Sequence, residues 1–371
     1  MKKSIFARYW LILLVCWCGS GAASAQTIKW RVSVKFILDG AGNRPADTAA
    51  NKIATDAEVQ AYIDYANQVV LPRSGRGYRM DLLPIQEIRN ASEWFNLDAC
   101  AGLAGFETAV MNSFISGVNE YLFDPTAINV YVVGSRTEGC CSCSGGAFDI
   151  IAVSQNINPD WVLLHESGHY LGLPHTHDGE ANFLSLVPVP ISCTSTNPCV
   201  NCPILLPGND GIADTLPDHS CWDSLDQISQ GNFGKNWAEL DGTKQKQVDD
   251  LLHNVMSYHG SNPGDRDRLS PDQLDVMADY SNGVRSSIAD GRTWFVDHAN
   301  TSTTPTGSSQ PVNIPVIGLI SGPFKEVSDG VALAGANDIV LIRPGTYTDI
   351  VRIDKALTLR ATRGNATLRA P

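Results

Sequence analysis

Residues 165 to 175 read His-Glu-Ser-Gly-His-Tyr-Leu-Gly-Leu-Pro-His. His165 and His169 are four positions apart, so on a helix both rings lie on one face and can reach a single ion. Gly172 allows the chain to leave the helix, and the following residues return His175 as a third nitrogen ligand. Glu166 lies beside the first ligand, where a carboxylate can take a proton from water at the metal. Three histidines with one open position are typical of a catalytic zinc site.

Two alternatives concern the same stretch. His177 is close enough in sequence to replace His175 as the third ligand, although His175 keeps the register of the pattern. Without a metal, the histidines would be ordinary residues of a helix that opens at Asn158-Pro159-Asp160. The shared register of His, Glu and Gly would then have no explanation. The sequence therefore predicts one catalytic zinc ion, held by the three histidines of residues 165 to 175.

The metal pattern resembles that of the metzincin metallopeptidases. Their active-site helix carries H-E-x-x-H-x-x-G-x-x-H, and their chain later makes a tight turn around a methionine. Residues 253 to 258, His-Asn-Val-Met-Ser-Tyr, have the form of that turn. The resemblance implies that Met256 packs beneath the three ligands and that Tyr258 points its hydroxyl at the metal region. It also implies an α/β (α+β) catalytic domain with a twisted mixed sheet and a zinc-binding active-site helix.

Within the metzincins, the chain is most similar to the pappalysin family. The matching segments are residues 165 to 175, 254 to 258, 269 to 273 and 210 to 215. The family usually continues Thr-Pro after the last of these, whereas here Leu216 precedes Pro217. The resemblance implies calcium in this loop-rich half, and the candidate ligands are Asp210, Asp214 and Thr215, with Asp218 nearby. A solvated turn is the alternative, and an astacin-type enzyme stays open as a second kind of metzincin.

The ligand set and the resemblance together imply a zinc metalloendopeptidase whose partner is a protein or peptide substrate. Glu166 is the expected general base, which takes a proton from the attacking water and passes it to the leaving amine. Tyr258 is the expected donor to the oxyanion that develops on the peptide carbonyl. Because Glu166 accompanies the histidines, a zinc protein without catalytic activity is a weaker explanation of the motif.

Strands and helices alternate ahead of the metal motif. Residues 28 to 38 alternate apolar and polar side chains in the manner of a half-buried strand. Thr55, with Glu58 three positions on, forms a capping box that starts a helix. Further strands are predicted at residues 78 to 88, 128 to 133 and 148 to 153, and a further helix at residues 106 to 122. This order indicates an α/β layer within a domain predicted to cover residues 26 to 290.

Residues 176 to 250 are rich in Pro, Gly, Asn and Asp and show little periodicity, so they are predicted to form long ordered loops. Eight cysteines follow the first 25 residues, at positions 100, 140, 141, 143, 193, 199, 202 and 221. An oxidising compartment favours up to four disulfides. A structural zinc site at Cys199-x-x-Cys202, with Cys193 and Cys221 nearby, is the alternative. Beyond the loops, a helix is predicted to begin at Ser270.

The final part of the chain differs from the rest in composition and in the pattern of its apolar residues. Residues 300 to 311 are mostly small and polar, as in a linker. Residues 291 to 371 resemble the opening of a right-handed parallel β-helix of the pectate-lyase type, with short strands expected at 339 to 342, 350 to 353 and 357 to 359. A solenoid needs about three or more repeats, so we expect this all-β segment to be incomplete or to pack on the preceding domain. It also supplies an alternative function, a polysaccharide-binding or lyase β-helix protein that carries an accessory metzincin domain.

The first 25 residues have the form of a secretory signal peptide, with a basic start, an apolar run and Ala23-Ser24-Ala25 before the cut. The apolar run is too short to span a membrane. We therefore predict a secreted protein, extracellular or periplasmic, that leaves the membrane after cleavage. Of the 371 residues, 27 are Lys or Arg and 39 are Asp or Glu; removing the signal with its three basic residues leaves 24 against 39, a net charge of −15. This acidic balance argues against nucleic acid as a partner.

Overall fold

A six-stranded mixed sheet with helices on both faces forms the larger part of the protein. The computed structural model describes residues 27–46, 53–89, 91–98, 101–134, 140–141, 148–154, 160–178, 181–182, 205–206, 209–220, 222, 224–260, 264–300, 305–309, 313–314, 318–319, 322–362 and 365–369. The predicted signal peptide lies outside these residues. Of the eight cysteines that follow residue 25, only Cys140 and Cys141 lie within these ranges, and only their backbone is described. The predicted disulfides therefore lie outside the described residues.

The main sheet has the strand order β2-β1-β4-β6-β5, and β3 also pairs with β1. Its strands are β1 (Ile28–Ile37), β2 (Tyr78–Leu82), β3 (Gln86–Ile88), β4 (Ile128–Val133), β5 (Cys140–Cys141) and β6 (Ile151–Ser154). All neighbours are parallel except β5, which runs antiparallel to β6 at the edge. The predicted mixed sheet is thus present. The single strand predicted at residues 78 to 88 is two strands, separated at Pro84, which has no N–H for a ladder.

Strand β1 is buried on both faces over its second half, whereas the alternation predicted burial of one face. Trp30, Val32, Val34 and Phe36 point into the larger core as expected. On the opposite face Lys35 is also fully buried. The reason is a second layer on that face, built from the helix at residues 103 to 115 and the aromatic side chains that pack with it.

The helices α1 (Asp56–Tyr65), α2 (Leu103–Ile115) and α3 (Val162–Tyr170) cover the sheet. Thr55 caps α1, and its capping box with Glu58 is present as predicted. Helix α1 continues through a π-helical turn at Ala66–Val70 and a 3-10 turn at Leu71–Ser74. Helices α1 and α3 contribute to the larger core and α2 to the smaller one, so they lie on opposite faces. This arrangement leaves α3, with the histidine motif, in the larger core.

Two helices lie in the stretch predicted to be loops, α4 (Leu225–Phe233) and α5 (Gly242–Leu252). The prediction was wrong there, because Ser224 and Asp241 cap these helices with their side chains and Ile228, Val248 and Leu251 form a small core between them. The short strands β7 (Ala181–Asn182) and β8 (Leu205–Leu206) pair antiparallel, and single 3-10 turns occur at Ser92–Trp94 and Trp237–Glu239. Helix α6 (Pro271–Asn282) begins as predicted, with Ser270 as its cap.

Short parallel sheets make up the C-terminal part. Strands β9 (Thr293–Val296), β12 (Ile339–Ile342) and β14 (Thr358–Ala361) form one sheet, and β13 (Gly345–Tyr347) pairs with β15 (Ala366–Leu368). A hairpin of β10 (Asn313–Ile314) and β11 (Gly318–Leu319), and helix α7 (Val327–Leu333), lie between β9 and β12. No strand forms at residues 350 to 353, contrary to prediction; Ile350 and Ile353 are exposed there, and both edges of β12 are taken by β9 and β14.

The C-terminal strands pack directly against the main sheet. Phe295 and Leu341 belong to the same core as Trp30. The hydroxyl of Tyr78 in β2 lies 2.8 Å from Thr293 Oγ1 in β9. These contacts join residues on both sides of position 290, and the division at that position and the β-helix stay predictions. None of the helices in the described ranges has the length and apolar character needed to cross a bilayer.

Candidate metal centre

Helix α3 is buried along almost its whole length, including its polar residues. His165 is 5% and Glu166 6% exposed, and Ser167 is fully buried. Polar side chains lose hydration in such surroundings, at a cost of roughly 1–3 kcal/mol each when no partner replaces the water. A helix that served only for packing would carry apolar residues at these positions.

Two glycines allow other segments to approach this helix closely. A Cβ atom at Gly168 would lie 2.6 Å from Met256 Sδ. Gly172 follows the end of the helix with φ +86°, a conformation that favours glycine. Beyond it, the main-chain N–H of Leu173 donates to the carbonyl of Gly168 at 2.9 Å. The chain therefore turns back along the helix and brings His175 to the first two histidines.

The three predicted ligands meet at one point. The Nε2 atoms of His165 and His169 are 3.2 Å apart, and those of His169 and His175 are 3.0 Å apart. Zinc–nitrogen bonds of about 2.0–2.1 Å in a tetrahedron separate the nitrogens by about 3.3 Å. Among the residues whose placement is described, these three histidines form one of two groups able to hold a metal ion. The spacing fits a single zinc ion.

The second nitrogen of each ring is occupied. His165 Nδ1 lies 2.7 Å from the carbonyl oxygen of Val255, and His169 Nδ1 lies 2.7 Å from that of Leu173. His175 Nδ1 faces the Asp178 carboxylate at 3.4 Å. Because a carbonyl only accepts, Nδ1 carries the proton in the first two rings, and in the neutral form Nε2 has a free lone pair. Such outer partners are typical of metal-binding histidines.

Two lone pairs that face each other at 3.2 Å repel unless a cation lies between them. A proton is disfavoured in that role, since burial holds the pKa of His165 well below its usual range and also lowers the pKa of His169. Burial lowers the pKa of His175 to about 4 as well. Neutral imidazoles are the ligands that zinc requires. The donor set therefore fits a metal ion better than it fits protonated rings.

The turn at residues 254 to 258 lies against the same helix. Met256 is fully buried and touches the helix at Gly168. The Asn254 side chain shapes the turn by accepting from the Met256 N–H at 2.8 Å and donating to Gln273 Oε1 at 2.9 Å. Since the carbonyl of Val255 in this turn holds His165 Nδ1, the turn also orients a ligand. Met256 thus lies beside the ligand helix, and its packing beneath the three ligands stays a prediction.

The two residues assigned catalytic roles lie far apart in the chain, Glu166 between the first two ligands and Tyr258 in the methionine turn. Tyr258 packs its ring on His175, with 4.7 Å between centroids, and on His177, at 4.3 Å. Its side chain is 51% exposed, so it lies at the solvent side of the third ligand. Glu166 is buried on α3 next to His165. The catalytic roles of both residues stay predictions.

His177 lies outside the three-histidine group. Its ring stacks on His175 at 4.9 Å, and it belongs to the second group, with His175 and Asp178. Asp178 also accepts from the His175 main-chain N–H at 2.9 Å, which holds the third ligand from both its backbone and its ring. The geometry favours His175 over His177 as the partner of the two helical histidines.

The candidate calcium ligands have other partners. Asp210 accepts from Thr215 Oγ1 at 2.5 Å and from the Ile212 N–H at 2.9 Å. Asp214 accepts from Ser270 Oγ at 2.5 Å, at the start of α6. Burial raises the pKa of Asp210 to about 6. Neither aspartate belongs to a metal-binding group among the described residues, and calcium at this loop stays a prediction.

Four neighbours of the site were not assigned to the metal centre from the sequence, and Asp218 was named there only beside the candidate calcium ligands. Asp178 holds His175, and Asp218 with His259 forms a buried pair behind the site. Arg266 places its guanidinium 3.7 Å from the centroid of the Trp161 ring at the start of α3. Only Asp178 had a local signal, as an acid three positions after a predicted ligand. The others come from distant segments that only the fold brings together.

Comparisons with known proteins found similarity to solved structures and no matching family or curated protein. No protein-family model matches the chain, and no curated protein matches it. Among solved structures, it is similar to mature mirolysin of Tannerella forsythia in complex with a cleaved peptide, with 12% sequence identity and a TM-score of 0.39. The similarity covers 71% of this chain and 96% of that chain.

Proposed function

We propose that the protein is a secreted zinc metalloendopeptidase of the metzincin kind, similar to the pappalysins. The observation that carries the proposal is the convergence of three Nε2 atoms, with 3.0 and 3.2 Å between neighbours, on a buried helix that also carries Glu166. His165, His169 and His175 would hold the zinc ion. The methionine turn against Gly168 supports the metzincin assignment, and the predicted signal peptide supports secretion.

When bound, zinc supplies Lewis acidity toward a peptide carbonyl and toward water. Glu166 accepts the proton of the water that attacks the carbonyl carbon, and it delivers this proton to the amine as the C–N bond breaks. Its burial excludes bulk water from the proton it holds. Tyr258, half exposed beside the third ligand, donates its hydroxyl to the oxyanion that develops on the carbonyl oxygen.

The C-terminal segment is proposed to form turns of a parallel β-helix. Two successive strand pairs stack in parallel: Ile339 pairs with Thr358, and Gly345 pairs with Ala366. Strand β12 also pairs in parallel with β9. This stacking supports a solenoid of about 20 residues per turn. Among the residues of this segment that the structure describes, no contact favours polysaccharide chemistry over a supporting role for the peptidase.

The experiment that tests the peptidase proposal measures zinc content and cleavage of an unfolded protein on one sample of residues 26 to 371. We expect about one zinc per chain and cleavage that 1,10-phenanthroline abolishes. Glu166→Gln should retain the zinc and lose at least about 10³-fold in kcat, because the base is removed and the ligands are kept. Glu120→Gln, at an exposed position near the end of α2, is the matched control. Full activity of Glu166→Gln, or absence of bound zinc, would contradict the proposal.

A further inference from the structure

A carboxylate without solvent contact lies behind the metal centre. Asp218 is fully buried, as is Thr176, and His259 is 1% exposed. Asp218 Oδ1 accepts from His259 Nε2 and from the main-chain N–H of His219, both at 2.7 Å. Its Oδ2 accepts from the hydroxyl of Thr176. Both carboxylate oxygens therefore have donors, which come from three positions in the chain.

Two of these donors immediately follow residues of the proposed active site. Thr176 follows His175, the third ligand, and His259 follows Tyr258, the proposed oxyanion donor. The same two segments also meet directly, because the Thr176 N–H donates to the carbonyl of Met256 at 3.1 Å. One side chain from a distant loop thus joins the segment that carries a ligand to the segment that carries the tyrosine.

The chemistry of the contact argues against a role in packing alone. A buried carboxylate is costly, and its hydrogen bonds usually repay the cost without a net gain over apolar packing. In the described part of the chain, the only ion-pair partner of Asp218 is His259, and no Arg or Lys neutralises it. An apolar residue could fill the volume but could not fix the Thr176 hydroxyl and the His259 ring at the same time.

We propose that Asp218 is a positioning residue of the metal centre, which sets the third ligand and Tyr258 against the two histidines of the helix. It does so through Thr176 on one side and His259 on the other. This inference rests on the proposed zinc site. Its consequence is that the Asp218 side chain, although it is not a ligand, determines the affinity for zinc and the geometry of the bound ion.

The test measures zinc affinity of the mature chain by competition with a chromogenic chelator, far below the unfolding temperature. Asp218→Asn keeps the shape but turns one carboxylate oxygen into an NH₂ group, which cannot accept from the donors at that position. We expect zinc affinity to fall about 10- to 100-fold, as for other residues that hold metal ligands. The visible absorption of the cobalt-substituted variant should change as well, since it reports the ligand geometry.

Two further variants keep the test decisive if Asp218→Asn folds poorly. Thr176→Val removes only the bond on the ligand side and should also weaken zinc binding, whereas Thr176→Ser keeps the hydroxyl and should restore it. Asp275→Asn is the control, because this buried carboxylate pairs with Arg76 at 2.8 Å and makes no contact with a ligand. It should lower the unfolding midpoint and leave zinc affinity within about twofold.

The outcomes separate this inference from the proposed function. If the unaltered chain binds no zinc, the peptidase proposal fails, and with it the premise of this one. If the unaltered chain binds zinc but Asp218→Asn and Thr176→Val bind it equally well, with unchanged cobalt spectra, the positioning role of Asp218 is wrong and the peptidase proposal stands.

Discussion

Replacing Lys35 by methionine should change how the stability of the protein depends on pH. Lys35 is fully buried in β1, where its ammonium lies near Asn129 and 5.2 Å from the centroid of the Tyr131 ring. Burial lowers its pKa from 10.5 to about 7. Methionine has a similar length without the charge. Asn129 Oδ1 keeps a donor in the variant, the Asp124 N–H at 2.8 Å.

The direction in which stability changes with pH follows from the number of protons that the folded and unfolded states bind. Between pH 7 and 10.5 the unfolded chain keeps the Lys35 proton and the folded chain releases it, so stability rises with pH across this window. Below pH 7 both states are charged, and the folded state bears the full desolvation penalty, up to about 5 kcal/mol from a shift of about 3.5 pH units. Between pH 6 and 9.5, stability should rise by about 3 kcal/mol through this residue.

The assay is urea unfolding of the original chain and of Lys35→Met at several values from pH 6 to 9.5. Comparing the two removes the contributions of all other titrating groups. We expect Lys35→Met to be the more stable protein at pH 6 and the advantage to shrink by about 3 kcal/mol by pH 9.5. Lys246→Met, which removes an exposed ammonium from α5, controls for net charge. Parallel stability curves for the original chain and Lys35→Met would refute the reasoning.

Two other predictions concern the metal centre. His175→Ala should abolish stoichiometric zinc binding, whereas His177→Ala should keep about one zinc per chain, measured by metal analysis after dialysis; the reverse result would make His177 the third ligand. Tyr258→Phe should lower kcat about 10²-fold with unchanged zinc content and nearly unchanged KM, because only an oxyanion donor is lost. An unchanged kcat in a peptide assay would remove Tyr258 from the mechanism.

Local signals predicted the parts of the fold that depend on neighbours in sequence. The capping box of Thr55 and Glu58, the β4 run and the Ser270 cap each involve only a few adjacent residues, and all three are present. The capping residues Ser224 and Asp241 were equally local signals, but the high content of turn-forming residues concealed the short helices that follow them. Composition was therefore a poorer guide there than the individual caps.

Predictions failed where another layer of the fold decides burial. The pattern of β1 indicated one solvated face, and nothing in that strand shows that the α2 layer covers Lys35. The same limit applies to the site. The spacing of the histidines predicted a ligand group that the structure brings together, but Asp218 lies more than forty positions from Thr176, so only the fold reveals their contact.

The acceptors of His165 and His169 are main-chain carbonyls, those of Val255 and Leu173. A main-chain oxygen is the same atom whatever side chain the residue carries. Substitutions at positions 255 and 173 that preserve the backbone path therefore leave both imidazoles in the same tautomer and orientation. The site should therefore tolerate substitutions of Val255 and Leu173. Such variants should alter the surrounding packing, while the imidazole rings of His165 and His169 keep their orientation.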